Sequence, residues 1–105
     1  MPARVLFIDV DDTLVRCFGT KRTPMTAVVE KVRALHAAGA LMYLWSSSGE
    51  KYARQVAMEL GLAQCFAGFL PKPDVLLDDR PIAKWKLKEL HPTKAIGLPP
   101  EQILR

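Results

Sequence analysis

The aspartates of this chain fall in two short clusters, Asp9, Asp11 and Asp12 near the start and Asp74, Asp78 and Asp79 much further along. The first cluster follows the apolar run Val5-Leu6-Phe7-Ile8, and Asp78-Asp79 follows Val75-Leu76-Leu77. Between the clusters, Ser46 ends another apolar run and Lys72 stands just before the second group. Carboxylates crowded within a few ångströms cannot all ionise without compensating positive charge. A hard divalent cation with oxygen ligands, Mg²⁺ above others, supplies that charge. With a lysine and a serine hydroxyl beside it, such a cluster suits a phosphoryl group. The metal and ammonium neutralise its oxygens, while the hydroxyl and backbone N–H groups orient them.

These residues act together only if the fold brings them to one place. Arg4 to Asp9 reads as a buried strand that stops at an acid. Arg16 to Thr23, with Gly19, reads as a loop, and Thr23-Pro24 as a hydroxyl cap followed by proline at the first helical position. Val28, Val29, Val32 and Leu35 recur at helical spacing before Gly39. Leu41 to Trp45 predicts a second buried strand running into Ser46-Ser47-Ser48. Ser48 is expected to cap the next helix, with Glu50 in its first turn and a core stripe of Ala53, Val56, Ala57 and Leu60 ended by Gly61. Phe66 to Leu70 predicts a short third strand, Pro71-Lys72-Pro73 a rigid loop, and Val75-Leu76-Leu77 a fourth strand. After Pro81 two patterns compete: a lysine-guarded edge strand over Lys84 to Lys88, and a helical pairing of Leu87 with Leu90. The tail predicts a turn and at most one final helical turn.

Strands alternating with helices imply an α/β fold, a doubly wound, Rossmann-like, mostly parallel sheet with right-handed crossovers. The chain of 105 residues fits a single domain, 1–105. Ligands of such sheets bind outside the carboxyl ends of the strands. Asp9, Ser46 and Asp78-Asp79 are expected there.

Half the residues are hydrophobic and only 8% aromatic, so the core must be largely aliphatic. No apolar run approaches the roughly 18 to 20 residues of a membrane span. The N-terminal run is too short, and too acidic behind, for a signal peptide, so the expected location is the cytoplasm. Cys17 and Cys65 lack metal-ligand spacing and read as free thiols, and His36 and His91 as structural or surface residues. A net charge of +4 is too modest an excess to establish a polyanionic partner. Basic groups at Arg16, Lys21 and Arg22 and from Arg80 to Lys88 would help draw in an anionic substrate, and ordinary surface solvation accounts for the second group at least as well. Neither group is interleaved with aromatics, so nucleic acid is not indicated as a partner, nor is a membrane. Oligomer formation is left open.

The segment Phe7-Ile8-Asp9-Val10-Asp11-Asp12-Thr13-Leu14 resembles the first motif of the haloacid dehalogenase (HAD) superfamily of phosphotransferases. Leu44-Trp45-Ser46 resembles the second motif, Lys72 the third, and Leu76-Leu77-Asp78-Asp79 the Asp-Asp form of the fourth, in the family's order. The resemblance implies a Mg²⁺-dependent phosphatase. Asp9 would attack phosphorus to form an aspartyl-phosphate. Asp11 would protonate the leaving oxygen and then activate water. Mg²⁺ would take the Asp9 carboxylate, the Asp11 backbone carbonyl and either Asp78 or Asp79. Ser46, Ser47 and Lys72 would hold the phosphoryl oxygens, and Thr13 would brace the turn that aims Asp11. Asp12 stands where the family most often has glycine and reads as outward-facing. Neither interval between the motifs can hold a cap domain, which implies a capless member with Arg16 to Thr23 as a flap. The expected substrate is a phosphorylated macromolecule or sugar on an open rim, or a small ester enclosed by a neighbouring subunit.

Two other functions compete. A receiver-type signalling module shares the acid pair, hydroxyl and lysine, but needs a phosphoaccepting aspartate between acid pair and hydroxyl, and none lies between Asp12 and Asp74. A catalytically silent phosphate-binding domain of the same fold is opposed by the intact Asp9 and Asp11.

Overall fold

A computed structural model describes residues 3–105. Strand β1 (Val5–Asp9) is followed by two short strands, β2 (Val15–Phe18) and β3 (Lys21–Pro24), then helix α1 (Thr26–Ala37). Strand β4 (Leu41–Ser46), helix α2 (Glu50–Glu59) and strand β5 (Gly68–Pro71) come next. The one-turn helices α3 (Pro92–Ala95) and α4 (Pro100–Ile103) follow. Among the described residues no helix is long and apolar enough to cross a membrane.

Strands β1, β4 and β5 form a parallel sheet in that spatial order, with Phe7 opposite Tyr43 and Leu44 opposite Phe69. Both crossovers step in the same direction, so right-handed connections place α1 and α2 on one face. That face carries Leu6 and Ile8 of β1, Met42 and Leu44 of β4 and Phe69 of β5. They pack with Val28, Val29, Val32 and Leu35 of α1 and with Ala53, Val56 and Ala57 of α2 in one aliphatic core. The stripes read from the sequence are the buried ones, apart from Leu60, which is only half-buried. The opposite face is open: Val5, Phe7 and Leu41 are exposed there, and Phe7 sets its edge against Trp45 at 4.8 Å and tilts on Tyr43 at 5.4 Å.

The parallel α/β architecture agrees with the sequence. Winding on both faces does not, because it needs a strand beyond β1 that reverses the direction of the crossovers. Val75-Leu76-Leu77 is not that strand. The segment has no regular structure, and Val75 and Leu77 are 81% and 100% exposed. Three apolar residues hemmed by Pro73-Asp74 and Asp78-Asp79 gain little burial against the entropy of ordering them.

Four local expectations are also corrected. The stretch Arg16 to Thr23 is not a loop but an antiparallel hairpin, with Val15 opposite Pro24 and Phe18 opposite Lys21. Only Val15 of its strands is buried, so no apolar alternation announced it. Pro24 ends β3, and α1 begins beyond it with Met25 as an unbonded cap. Gly49, at φ 103° and ψ 170°, precedes α2 in place of the expected Ser48 cap. Lys84 to Lys88 forms no edge strand: a 3-10 turn spans Ile82–Lys84, and Leu87 stays exposed without a sheet to join. The single final turn, α4, is where the tail predicted it.

Candidate active site

Three parallel strands end together, β1 at Asp9, β4 at Ser46 and β5 at Pro71, with Ser46 opposite Pro71. The Lys72 backbone N–H donates to the Ser46 carbonyl at 3.0 Å and carries the chain across this rim. The Lys72 ammonium then reaches Asp9, with Nζ 3.0 Å from Oδ1 and both side chains about one-third exposed. It also lies 5.9 Å from the centre of the Trp45 ring. The lysine and aspartate side chains therefore meet at the C-terminal edge of the sheet, and Ser46 ends the neighbouring strand on the same edge.

Asp9 is held from its other side as well. The Thr13 hydroxyl donates to Asp9 Oδ2 at 3.2 Å. That bond spans the turn Thr13 was expected to brace, and backbone bonds brace it too: the N–H groups of Thr13 and Leu14 reach the Val10 carbonyl at 3.3 and 2.9 Å, and that of Asp12 reaches the Val15 carbonyl at 2.7 Å. Asp12 is exposed at φ 61°, a left-handed conformation that glycine adopts at less cost. Its outward-facing reading agrees with this.

Ser46 is buried at 2% exposure. Its hydroxyl oxygen accepts from the Ser48 N–H at 3.0 Å, which leaves the hydroxyl proton free to donate. Ser47 is exposed on the same loop. The Gly49 N–H closes the loop on the Ser46 carbonyl at 3.0 Å.

Two residues missed in the sequence surround Asp11. The Tyr52 hydroxyl donates to Asp11 Oδ1 at 2.6 Å, and the Cys17 thiol approaches the same oxygen at 3.4 Å. Cys17 Sγ and the Tyr52 oxygen lie 3.9 Å apart. Partial burial, and then the hydrogen bond to Asp11, push the Tyr52 phenol well above its ordinary range, so it stays a donor. The same two causes, in that order, raise the Cys17 thiol. The available signal was position: Tyr52 stands in the first turn of the helix that leaves the serine loop.

Of the basic flap residues, Arg22 has a defined partner. Its Nη2 donates to both Glu59 oxygens at 2.8 and 2.7 Å, and its guanidinium lies 5.4 Å from the Tyr52 ring centre. The hairpin is thereby tied to α2. Arg16 and Lys21 are exposed.

Asp78 and Asp79 do not join this rim. Both are exposed, and Asp78 Oδ1 accepts from the Arg80 N–H at 2.9 Å in a local turn. Among the described residues no three Asp, Glu, His or Cys side chains gather to hold a metal ion. The expected four-aspartate metal set is thus represented at the rim by Asp9 and Asp11 alone. Their hard oxygens suit Mg²⁺, which commonly takes one or two carboxylates and completes its shell with water and substrate phosphate. The fourth strand that would have delivered the second pair is missing. Two surface hollows, of about 520 and 240 Å³, lie elsewhere, along the outer side of α2 and between α1 and α3.

No protein-family model, curated protein or solved structure matches this chain.

Proposed function

We propose that the chain is a Mg²⁺-dependent phosphohydrolase that forms an aspartyl-phosphate on Asp9, and that it is a capless HAD-type phosphatase acting on a phosphate ester. The observation that carries this reading is the Lys72 ammonium 3.0 Å from Asp9 Oδ1 at the shared end of parallel strands. A phosphoryl group approaching Asp9 meets that ammonium at once, with Ser46 at the end of the neighbouring strand.

In the first step an Asp9 carboxylate oxygen bonds to phosphorus, the bond to the ester oxygen breaks, and Asp11 gives its proton to that oxygen. In the second step water bonds to phosphorus, its proton passes to the Asp11 carboxylate, and the acyl-phosphate bond breaks to restore Asp9. Lys72, Ser46 and the loop N–H groups offset and orient the phosphoryl oxygens throughout. Bound Mg²⁺, held by Asp9 and the Asp11 carbonyl with water and substrate phosphate completing its shell, would supply further charge neutralisation. With no cap over the strand ends, a phosphate on a macromolecule is as acceptable as one on a small ester.

The deciding experiment is hydrolysis of a panel of aryl and alkyl phosphates with Mg²⁺ present. Turnover that is lost on Asp9→Asn and on chelation is expected. Saturable binding of inorganic phosphate with no turnover of any ester would instead favour the silent phosphate-binding module. The scattered position of Asp78 and Asp79 speaks for that second reading.

A further inference from the structure

Asp11 has two carboxyl oxygens in unlike surroundings. Oδ1 accepts from the Tyr52 hydroxyl at 2.6 Å and is approached by the Cys17 thiol at 3.4 Å. Oδ2 makes no hydrogen bond among the described residues. An oxygen that already accepts two donors is a poor place for a further proton, so a protonated Asp11 carries its proton on Oδ2.

The donor that creates this asymmetry is itself held from several sides. Tyr52 sits on α2, which is anchored to the sheet through Ala53, Val56 and Ala57, all fully buried. Its ring lies under the Arg22 guanidinium, which is fastened to Glu59 further along the same helix. The hydroxyl therefore has little freedom, and through one short hydrogen bond neither does Asp11. Without it, the Asp11 side chain would keep only the long Cys17 thiol contact at 3.4 Å.

We propose that Tyr52 is a positioning residue that fixes the Asp11 carboxyl by its Oδ1 and so presents Oδ2 as the proton-carrying oxygen for the leaving group. This rests on the phosphohydrolase reading and adds to it a residue outside the motifs. Tyr52 moves no proton and touches no phosphate. Its contribution is the orientation of the acid, where a misplacement of about 1 Å can cost about a hundredfold in rate.

The test uses leaving-group chemistry. p-Nitrophenolate departs without an acid, whereas the alkoxide of glycerol phosphate needs one. Wild type, Tyr52→Phe, Asp11→Asn and the double variant are compared on both esters with Mg²⁺, after thermal melts confirm that each is folded. Y52F removes one oxygen and keeps the ring beneath Arg22. On glycerol phosphate it is expected to lower kcat by about tenfold or more, within the range general acids contribute, with KM changed by less than about twofold. On p-nitrophenyl phosphate the loss is expected to be several times smaller. In the D11N background, Y52F adds nothing, because the group it positions is gone. Equal losses on both esters, no loss on either, or a full additional loss on top of D11N would overturn the role of Tyr52 while leaving the phosphohydrolase reading intact. A folded wild type that hydrolyses neither ester would overturn that reading, and this inference with it.

Discussion

Lys72 and Asp9 are far apart in the chain, yet their charged atoms stand 3.0 Å apart because β5 and β1 flank β4 and all three end on one rim. Each side chain is about one-third exposed, so solvent screens the pair and its contribution to stability is small. On the proposed reading, it places an ammonium where a phosphoryl group would meet Asp9. Lys72→Ala is therefore expected to reduce kcat/KM for an aryl phosphate by about a hundredfold, the usual loss for one charge-stabilising donor, with little change in Tm. Hydrolysis kinetics beside a thermal melt check this. A large fall in Tm with unchanged kinetics would assign Lys72 a structural role instead.

The Arg22–Glu59 pair should latch the hairpin in a pH-dependent way. The Arg22 hydrogen bonds hold the Glu59 carboxyl below its ordinary 4.5. A group whose folded value is depressed adds stability above its unfolded value and loses it as pH falls through the folded one. Glu59→Gln should therefore lower Tm at pH 7 and make a smaller difference at about pH 3, and 1 M salt should shrink the gap at pH 7. A Tm difference that is the same at both pH values would show that the ion pair is not its source.

Gly49 makes the strand-to-helix loop at Ser46 possible. At φ 103° and ψ 170° it occupies a region essentially reserved for glycine, and no atom lies within 4 Å of the place a Cβ would take. Gly49→Ala is thus not a clash but a backbone strain, expected to cost about 1 to 3 kcal/mol by chemical denaturation. The Gly49 N–H to Ser46 bond would be disturbed as well, so phosphate binding should weaken with stability. An alanine variant as stable as wild type would mean that the loop takes another conformation in solution.

The segment from Val75 to Arg80 is exposed throughout. If Mg²⁺ draws Asp78 or Asp79 toward Asp9 and Asp11, it must order this segment. Trypsin should then cut after Lys84 more slowly with millimolar Mg²⁺ than with chelator, and a combined Asp78→Asn, Asp79→Asn variant should lose the protection. Identical cleavage rates with and without the ion would remove this pair from the metal site.

In the central strand, Leu44 is fully buried in the core shared with both helices. Leu44→Ala should cost about 2 to 5 kcal/mol in urea unfolding, the range for a large core truncation. A cost under about 1 kcal/mol would contradict the packing of both helices on this one face.

Strands β1, β4 and β5, helices α1 and α2 and the aliphatic core were legible because long apolar runs and 3.6-residue stripes are local signals, readable wherever burial follows them. Asp9, Ser46 and Lys72 were legible for a related reason: in parallel sheets the chemistry gathers at strand ends, and each stands at or just past one. Tyr52 and Cys17 were not legible, since their meeting at Asp11 depends on how a hairpin and a helix lie across the rim. The hairpin itself was hidden because a ribbon with one buried residue has no alternation to read. Val75-Leu76-Leu77 shows the opposite error. Its composition is that of a buried strand, but a strand exists only through a neighbour's hydrogen bonds, and here the free edge of β1 and the apolar run do not meet. Residue types and spacing thus specify which groups can perform chemistry, whereas which carboxylates share a site depends on long-range strand pairing that no short stretch of chain encodes.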